Sequence, residues 1–265
     1  MSFTSIVQYN EGAYRRIFEL AQKVKGIRNR TTTSPLLTNK HILMLIHADK
    51  EPQAEELSLK LSTLGCTCTT TYYSASSLDI ANLSEEAPYC AVFTIGCTHS
   101  ATLAIAKESH APVINVSSLK HSPIHVLADI FPIYEKRDFN FKGVSFCWHG
   151  DSENNAHSWL EAAQVLGFDL TLVTTEAMRP DPEILESCRQ GSSGRIKLCR
   201  SSPDVKGSDV VINDSPTNDF RRFPLTGKAE GGGLHGRGRP SADDAASFWD
   251  NELCILMAVM IWIQE

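Results

Sequence analysis

The residues of this chain that could carry chemistry include histidines and cysteines at short spacings. His121 and His125 stand four residues apart at the start of a predicted helix, a spacing that could chelate a metal ion. No acidic or other third ligand stands nearby, so we predict neither a metal site nor another cofactor. Cys66 and Cys68 could form half of a zinc site, but no second cysteine pair follows at a suitable spacing. We therefore expect reduced, structural thiols.

Polar residues near predicted strands and loops could form a second kind of site. Asp214 follows an apolar strand, where its carboxylate could simply cap the next turn. Asn154 stands at a helix start, where it could cap the helix. Arg237 and Arg239 lie in the glycine-rich stretch 226–243, which we expect to be a mobile loop. Two arginines in such a loop could hold an anion or remain solvated.

Apolar segments of strand length alternate with helical patterns along the chain. The predicted strands span 42–46, 91–95, 113–116, 144–148, 170–173, 196–198 and 210–212. The predicted helices span 10–25, 52–64, 99–107, 123–134, 154–166, 182–188 and 248–263. This alternation is typical of parallel sheets covered by helices on both faces, so the predicted fold class is α/β. A charged stretch at 135–142 divides the chain into two predicted domains, 1–136 and 137–265.

The composition predicts a folded chain that binds neither nucleic acid nor membrane. Of the 265 residues, 42% are hydrophobic and 21% are charged, which is typical of globular proteins. The formal net charge of -6 lacks the basic surplus of most nucleic-acid-binding domains. The apolar runs are shorter than the ~18 residues that a membrane-spanning helix needs. Because no secretory segment is evident at the N-terminus, we expect a cytoplasmic protein.

Several segments, in order along the chain, resemble motifs of the aspartate/ornithine carbamoyltransferase family, and in particular of its ornithine branch. Residues 122–129 resemble the helix start His-Pro-x-Gln-x-Leu-Ala-Asp, and 148–158 resemble the Gly-Asp-Gly-Asn-Asn turn with the helix after it. The other matches are 180–183 to a Glu-Pro-Asp-Pro stretch, 207–214 to the strand before the ornithine loop, 234–235 to the start of a His-Cys-Leu-Pro loop, and 257–260 to the closing helix.

The resemblance implies an architecture and a reaction. Two doubly wound parallel-sheet domains would bind carbamoyl phosphate and the amino acid respectively, and the closing helix would return to the first domain. The assembly would be a homotrimer, or a hetero-oligomer with an active relative. In this family the amine of the amino acid attacks the carbamoyl carbon and phosphate leaves. Helix N-termini and arginines must therefore hold a dianionic phosphate.

The positions that would hold the phosphate carry other residue types in this chain. The family's Ser-Thr-Arg-Thr-Arg loop falls on 50–54, where Lys50 is the only cation. A further family arginine falls at about Ile95, and the arginine before the closing helix falls on Glu252. The His and Gln of His-Pro-x-Gln fall on Ser122 and His125. The resemblance therefore predicts a degenerate carbamoyl phosphate site.

More of the family's residue types are present at the positions expected to bind the amino acid than at those expected to bind the phosphate. Asn154 falls on the second Asn of the Gly-Asp-Gly-Asn-Asn turn, and Asp214 falls on the aspartate of the ornithine loop. Because a carboxylate suits an ammonium group, the resemblance assigns Asn154, Asp214 and His125 to substrate binding. His235 is the one candidate remnant of the catalytic residues.

Two functions are compatible with this pattern. The first is a catalytically inactive ornithine carbamoyltransferase-like protein that binds ornithine or a related amino acid, or that regulates other subunits. The alternative is a working enzyme that makes citrulline and phosphate from carbamoyl phosphate and ornithine. Its anion site would be rebuilt from Lys50, Arg237 and Arg239. A nucleotide-binding protein ranks last, because neither a Gly-x-Gly-x-x-Gly turn nor a Walker loop is present.

Overall fold

The structure is a computed structural model, and it describes residues 1–28, 37–73, 89–137, 140–175, 178–199, 208–214, 235–236 and 242–265. Within these residues the α-helices are α1 (Glu11–Arg28), α2 (Glu51–Ser62), α3 (His99–Glu108), α4 (Pro123–Arg137), α5 (Glu153–Leu166), α6 (Pro182–Gly191) and α7 (Ala242–Gln264). The strands are β1 (His41–Ile46), β2 (Thr67–Tyr72), β3 (Ala91–Ile95), β4 (Val113–Ser117), β5 (Ser145–Gly150), β6 (Asp169–Val173), β7 (Ile196–Cys199), β8 (Val210–Asp214) and β9 (His235–Gly236).

The strands form two parallel sheets, which confirms the predicted α/β class. The first sheet has the order β2-β1-β3-β4 and the second has the order β7-β6-β5-β8-β9. The central strand β1 buries five of its six residues, and all five residues of β3 are buried. Continuous apolar strands of this kind are needed where helices cover both faces of a parallel sheet.

Local sequence signals set the helix ends. The side chain of Thr98 accepts a hydrogen bond from Ala101 N at 3.2 Å and so caps α3. Asp181 caps α6 in the same way, with a bond of 2.9 Å from Glu183 N. Helix α5 ends at Gly167, whose φ of +74° is costly for other residues. These helices follow strand ends, so the caps place their N-termini at one edge of each sheet.

A continuous hydrophobic core joins the two sheets and their helices. It contains the fully buried rings of Trp148 and Trp159 from the second sheet and its helix α5. The closing helix α7 packs against α1 and α4, which lie with the first sheet. The closing helix therefore returns to the first half of the chain, as predicted. In the part of the chain that the structure describes, no helix is both long enough and apolar enough to cross a membrane.

Some elements differ from the sequence-based expectations. Strand β2 was not predicted, because its sequence Thr-Cys-Thr-Thr-Thr-Tyr has no apolar run and its side chains are exposed or half-buried. Its β-branched threonines nevertheless fit the pleated edge of a sheet. The predicted glycine-rich loop 226–243 includes the short strand β9, and α7 begins at Ala242 rather than at 248. The boundary at 136–137 falls at the end of α4 and remains a prediction.

Candidate functional site

The structure brings His125 between two carboxylates that are distant from it in the sequence. Its Nε2 lies 4.0 Å from Asp214 Oδ1, and its Nδ1 lies 4.0 Å from Glu252 Oε1. The side chains of His125, Asp214 and Glu252 are 17%, 10% and 13% exposed, so solvent screens their charges only in part. Two carboxylates around one imidazole form an environment that attracts cations and repels anions.

Asp214 occupies the last position of β8, where it pairs with Gly150 of β5. One of its carboxylate oxygens accepts a hydrogen bond from the side-chain amide of Asn155. Asn155 is buried, and sequence reasoning missed it because only the first residue of the Asn154-Asn155 pair matched the family motif. The signal that could have identified Asn155 is its position at the start of α5, beside the end of β5.

Asn154 links the start of α5 to the end of β4. Its Nδ2 donates hydrogen bonds to Ser118 O at 3.0 Å and to Ser117 Oγ at 3.4 Å. Its Oδ1 accepts from Asn155 N at 2.9 Å. The N-cap residue of α5 is Ser152, so the expectation that Asn154 caps this helix is wrong. Asn154 instead holds the two sheets together at the edge of the site.

The next turn of α5 fixes the loop before α4. His157 Nδ1 lies 2.9 Å from Lys120 O, and Nε2 accepts a hydrogen bond of 2.8 Å from Asp181 N. These two contacts require a neutral ring with its proton on Nδ1, and burial lowers the pKa of His157 in agreement. Ser158 Oγ accepts a hydrogen bond of 2.8 Å from Ser122 N. Helix α5 thus fixes the loop that leads into α4, the helix on whose first turn His125 lies.

His121 faces a different set of partners from His125. Its Nδ1 lies 3.1 Å from Glu161 Oε1, and its ring centroid is 4.4 Å from that of His99. Burial, and next the neighbouring His121, lower the pKa of His99 to about 4. The two histidines of the i,i+4 pair therefore do not converge on one point. Among the described residues, no group of three or more potential ligands is arranged to hold a metal ion.

Lys50 lies at the N-terminus of α2, beside the end of β3. Gly96 follows β3 with a φ of +73°, and a Cβ atom added there would lie 2.5 Å from Lys50 Cγ. Glycine is therefore required at 96 both by its conformation and by the close approach of Lys50. The tyrosine hydroxyl of Tyr72 donates a hydrogen bond to Glu51, which places a carboxylate next to Lys50 in the same helix turn.

The remaining candidates lie in the last third of the chain. The backbone of His235 forms β9 and pairs with Ile212 of β8, so His235 stands on the strand next to Asp214. Arg237 and Arg239 lie outside the described residues. Their proposed role in an anion site therefore remains a prediction.

A cleft of about 520 Å³ opens beside His99, the ring partner of His121, and its lining also includes Lys120, Glu153 and Asp181. Lys120 Nζ lies 3.1 Å from Asp181 Oδ2, and this contact lowers the pKa of the Asp181 carboxyl. The cleft is therefore lined by both positively and negatively charged side chains. His125, Asp214 and Glu252 are not among its lining residues.

The sequence of this chain is similar to those of known carbamoyltransferases. Residues 142–221 match the family model described as aspartate/ornithine carbamoyltransferase, Asp/Orn binding domain. The chain is 34% identical over 110 residues to an ornithine carbamoyltransferase of Geobacter metallireducens, a stretch that covers 41% of this chain and 36% of that protein. It is 28% identical over 207 residues to the ornithine carbamoyltransferase of Archaeoglobus fulgidus, which covers 75% of this chain and 66% of that protein. These matches thus span about a third to two thirds of the relatives' own length.

The fold agrees with solved structures over a longer stretch. The anabolic ornithine carbamoyltransferase of Campylobacter jejuni superposes with a TM-score of 0.79 at 21% identity, covering 99% of this chain and 98% of that chain. The enzyme structure from Pyrococcus furiosus gives a TM-score of 0.77 at 21% identity, covering 98% and 96%. The chain thus resembles the aspartate/ornithine carbamoyltransferase family in sequence over residues 142–221, and it has the fold of the solved ornithine carbamoyltransferases. The resemblance stated from the sequence motifs is confirmed.

The family match covers only part of the candidate site. Asn154, Asn155 and Asp214 lie within the residues that match the Asp/Orn binding domain of carbamoyltransferases. His125 and Glu252 lie outside this range. The contact between the two groups, His125 with Asp214, is therefore a finding of the tertiary structure.

Proposed function

We propose that this chain is an ornithine carbamoyltransferase-like protein that does not transfer carbamoyl groups and that uses the retained scaffold to bind an amino acid. The observation that carries the proposal is the pair of carboxylates, Asp214 and Glu252, on either side of His125. By resemblance, Glu252 occupies the position of an arginine. The sign of the charge at that position is reversed.

The charges disfavour carbamoyl phosphate. Two like unit charges at 4 Å repel by about 4 kcal/mol at an effective dielectric constant near 20, and a phosphate dianion doubles this for each carboxylate. A helix N-terminus offers a phosphate only about 0.3–1 kcal/mol at an exposed site. Lys50 is the only cation among residues 50–54. One lysine and the start of α2 would not offset two carboxylates.

The same charges favour an amino acid with a second ammonium group, such as ornithine. Asp214 ends a strand of the second sheet, whereas Glu252 lies on α7, which packs against α1 and α4 beside the first sheet. A cation between the two carboxylates would interact with both. The amide of Asn154 stands at the edge of this region, where α5 meets β4. Binding would therefore tighten the contact between the two sheets. A trimer of this chain, or a mixed oligomer with an active relative, would be the assembly in which the protein acts.

Isothermal titration calorimetry of the purified chain tests the proposal. We expect saturable heat with ornithine, and a loss of affinity of about tenfold or more in the Asp214→Asn variant, equivalent to about 1.4 kcal/mol. Asp209→Asn is the matched control, because Asp209 directly precedes β8, at the end of the strand opposite to Asp214. Its carboxylate accepts a hydrogen bond from Ser145 N at 2.8 Å. Carbamoyl phosphate should give no saturable heat, and inorganic phosphate should not raise the melting temperature.

An activity assay distinguishes the alternative enzyme. Formation of citrulline by the wild-type chain, abolished in Lys50→Ala, would refute the proposal and establish a rebuilt anion site. If neither ornithine nor carbamoyl phosphate gives saturable heat in the titration, the proposed amino-acid binding is refuted. Size-exclusion chromatography with light scattering, on the chain alone and mixed with an active relative, would then measure the oligomeric role separately.

A further inference from the structure

The Cys66-x-Cys68 motif remains unexplained by the proposed site and lies at the opposite end of α2. Cys66 stands in the turn that leads from α2 into the edge strand β2, and Cys68 is the second residue of β2. Both thiols are free. Cys66 is buried in the hydrophobic core, Cys68 packs against that core, and Thr67 between them is exposed, so the two thiols lie on the same side of the chain. We propose that Cys66 and Cys68 form a reversible dithiol–disulfide site that reacts with low-molecular-weight disulfides such as glutathione disulfide.

The geometry permits the bond and limits its strength. Cys66 directly precedes β2, and in a fully extended chain the Cα atoms of residues two apart are separated by at most about 6.6 Å. This lies close to the upper limit of about 6.8 Å for Cα atoms joined by a disulfide. A disulfide at this limit is strained and therefore easily reduced, which makes it reversible rather than structural.

The two thiols have different surroundings that give them different tasks. Cys66 is 4% exposed, whereas Cys68 is half-buried and can meet a reagent. Hydrogen bonds from Cys66 and from the Ser58 hydroxyl of α2 stabilise a thiolate at Cys68 and lower its pKa, although burial opposes this. The thiolate is the attacking form, so Cys68 is the nucleophile and Cys66 resolves the intermediate.

The fully buried thiols show the opposite behaviour. Burial raises the pKa of Cys97 to about 11 and that of Cys147 to about 12. Neither side chain is exposed to solvent, so a disulfide reagent has no access to either. Cys90 lies nearer to the pair and is half-buried, and burial also raises its pKa. Cys90 is therefore the appropriate control residue.

The reaction consists of two thiol–disulfide exchanges. The Cys68 thiolate attacks one sulfur of glutathione disulfide, a mixed disulfide forms, and one glutathione thiolate leaves. Cys66 then loses its proton to water or buffer and attacks the Cys68 sulfur, which releases the second glutathione thiolate. The protein loses two electrons and two protons, and one glutathione disulfide becomes two glutathione molecules after protonation. The proposal does not depend on the amino-acid site.

The test treats the full chain with glutathione disulfide, blocks the remaining thiols by alkylation, and maps the products by mass spectrometry. The wild type should gain a Cys66–Cys68 disulfide and retain no glutathione on these residues. Cys66→Ser should keep glutathione on Cys68, and Cys68→Ser should react at least about tenfold more slowly. Cys90→Ser should behave as the wild type does.

Other products would overturn the proposal. A disulfide between Cys68 and Cys90, glutathione that stays on wild-type Cys68, or equal reaction rates of the wild type and Cys68→Ser would each do so. A measurement on the wild type alone covers the case of a misfolded variant. Phenylarsine oxide, which bridges neighbouring thiols, should protect Cys66 and Cys68 together from alkylation. If it leaves both open to alkylation, the pair is not a dithiol site.

Discussion

Replacing Glu161 by alanine should destabilise the protein strongly, because this buried carboxylate connects α5 to two distant segments. Its Oε2 accepts a hydrogen bond of 2.9 Å from Ile6 N, and its Oε1 lies 3.1 Å from His121 Nδ1. The side chains of Glu161 and His121 are 4% and 6% exposed. Alanine would leave the Ile6 N–H buried without its acceptor and would remove the carboxylate that faces the His121 ring.

The magnitude follows from these contacts. Breaking a buried ion pair or a comparable buried polar contact by removing one partner costs about 3–5 kcal/mol. For a chain of this size each kcal/mol lowers the melting temperature by about 2–4 °C, so we expect a decrease of about 6–20 °C. Glutamine keeps an acceptor for Ile6 N and can donate to His121 Nδ1, so Glu161→Gln should cost only about 1 kcal/mol.

Thermal unfolding followed by circular dichroism measures both effects. Glu153→Ala is the matched control, because Glu153 lies on the same helix, is 53% exposed and contacts His157 at 3.7 Å. Because the His157 ring is neutral and the Glu153 carboxylate is exposed, this contact should contribute less than about 1 kcal/mol. The reasoning is refuted if Glu161→Ala melts within the range of the control, or if Glu161→Gln is as unstable as Glu161→Ala.

Two further predictions concern pH and packing. Because burial and His121 lower the folded-state pKa of His99 to about 4, the unfolded chain takes up a proton near its own pKa of about 6.5 while the folded chain does not. Stability should therefore be lost as the pH falls from about 6.5 towards 4. Melting curves of His99→Gln should show a smaller loss over the same pH range. If the pH dependence of this variant equals that of the wild type, the reasoning is contradicted. Gly150→Ala should lower the free energy of unfolding in urea by about 1–3 kcal/mol, because a Cβ there would lie 2.3 Å from the buried Trp148 ring. Gly26→Ala in α1 has no atom within 4 Å of the added Cβ, so it should instead raise the free energy of unfolding by about 0.5–1 kcal/mol. Equal effects of the two substitutions would show that the contact with Trp148 is not decisive.

The fold class could be predicted from the sequence because burial on both faces leaves a local signature. The sequence of β1, His-Ile-Leu-Met-Leu-Ile, is almost wholly apolar, and the capping residues Thr98 and Asp181 mark helix starts directly. Strand β2 carried no such signal. Its threonines are held by pairing with β1, and an edge strand with exposed side chains needs no apolar run.

The motifs also indicated the resemblance to the carbamoyltransferase family, since short segments in a fixed order are a property of the chain alone. The roles assigned to Asn154, Asp214 and His125 remain predictions. What each of these residues contacts was decided by the tertiary structure. The sequence placed His121 and His125 together as a spaced pair, yet the loop before α4 and the twist of the helix direct them to different carboxylates, Glu161 and Asp214.

The candidate site itself depends on long-range packing. His125, Asp214 and Glu252 come from α4, β8 and α7, and they meet because α7 returns to pack against α4 while α5 holds the start of α4 through Ser158 and Ser122. Periodicity in a sequence reports which face of an element is buried. It does not report which distant side chain will face it, because that depends on the angles and distances at which whole elements pack.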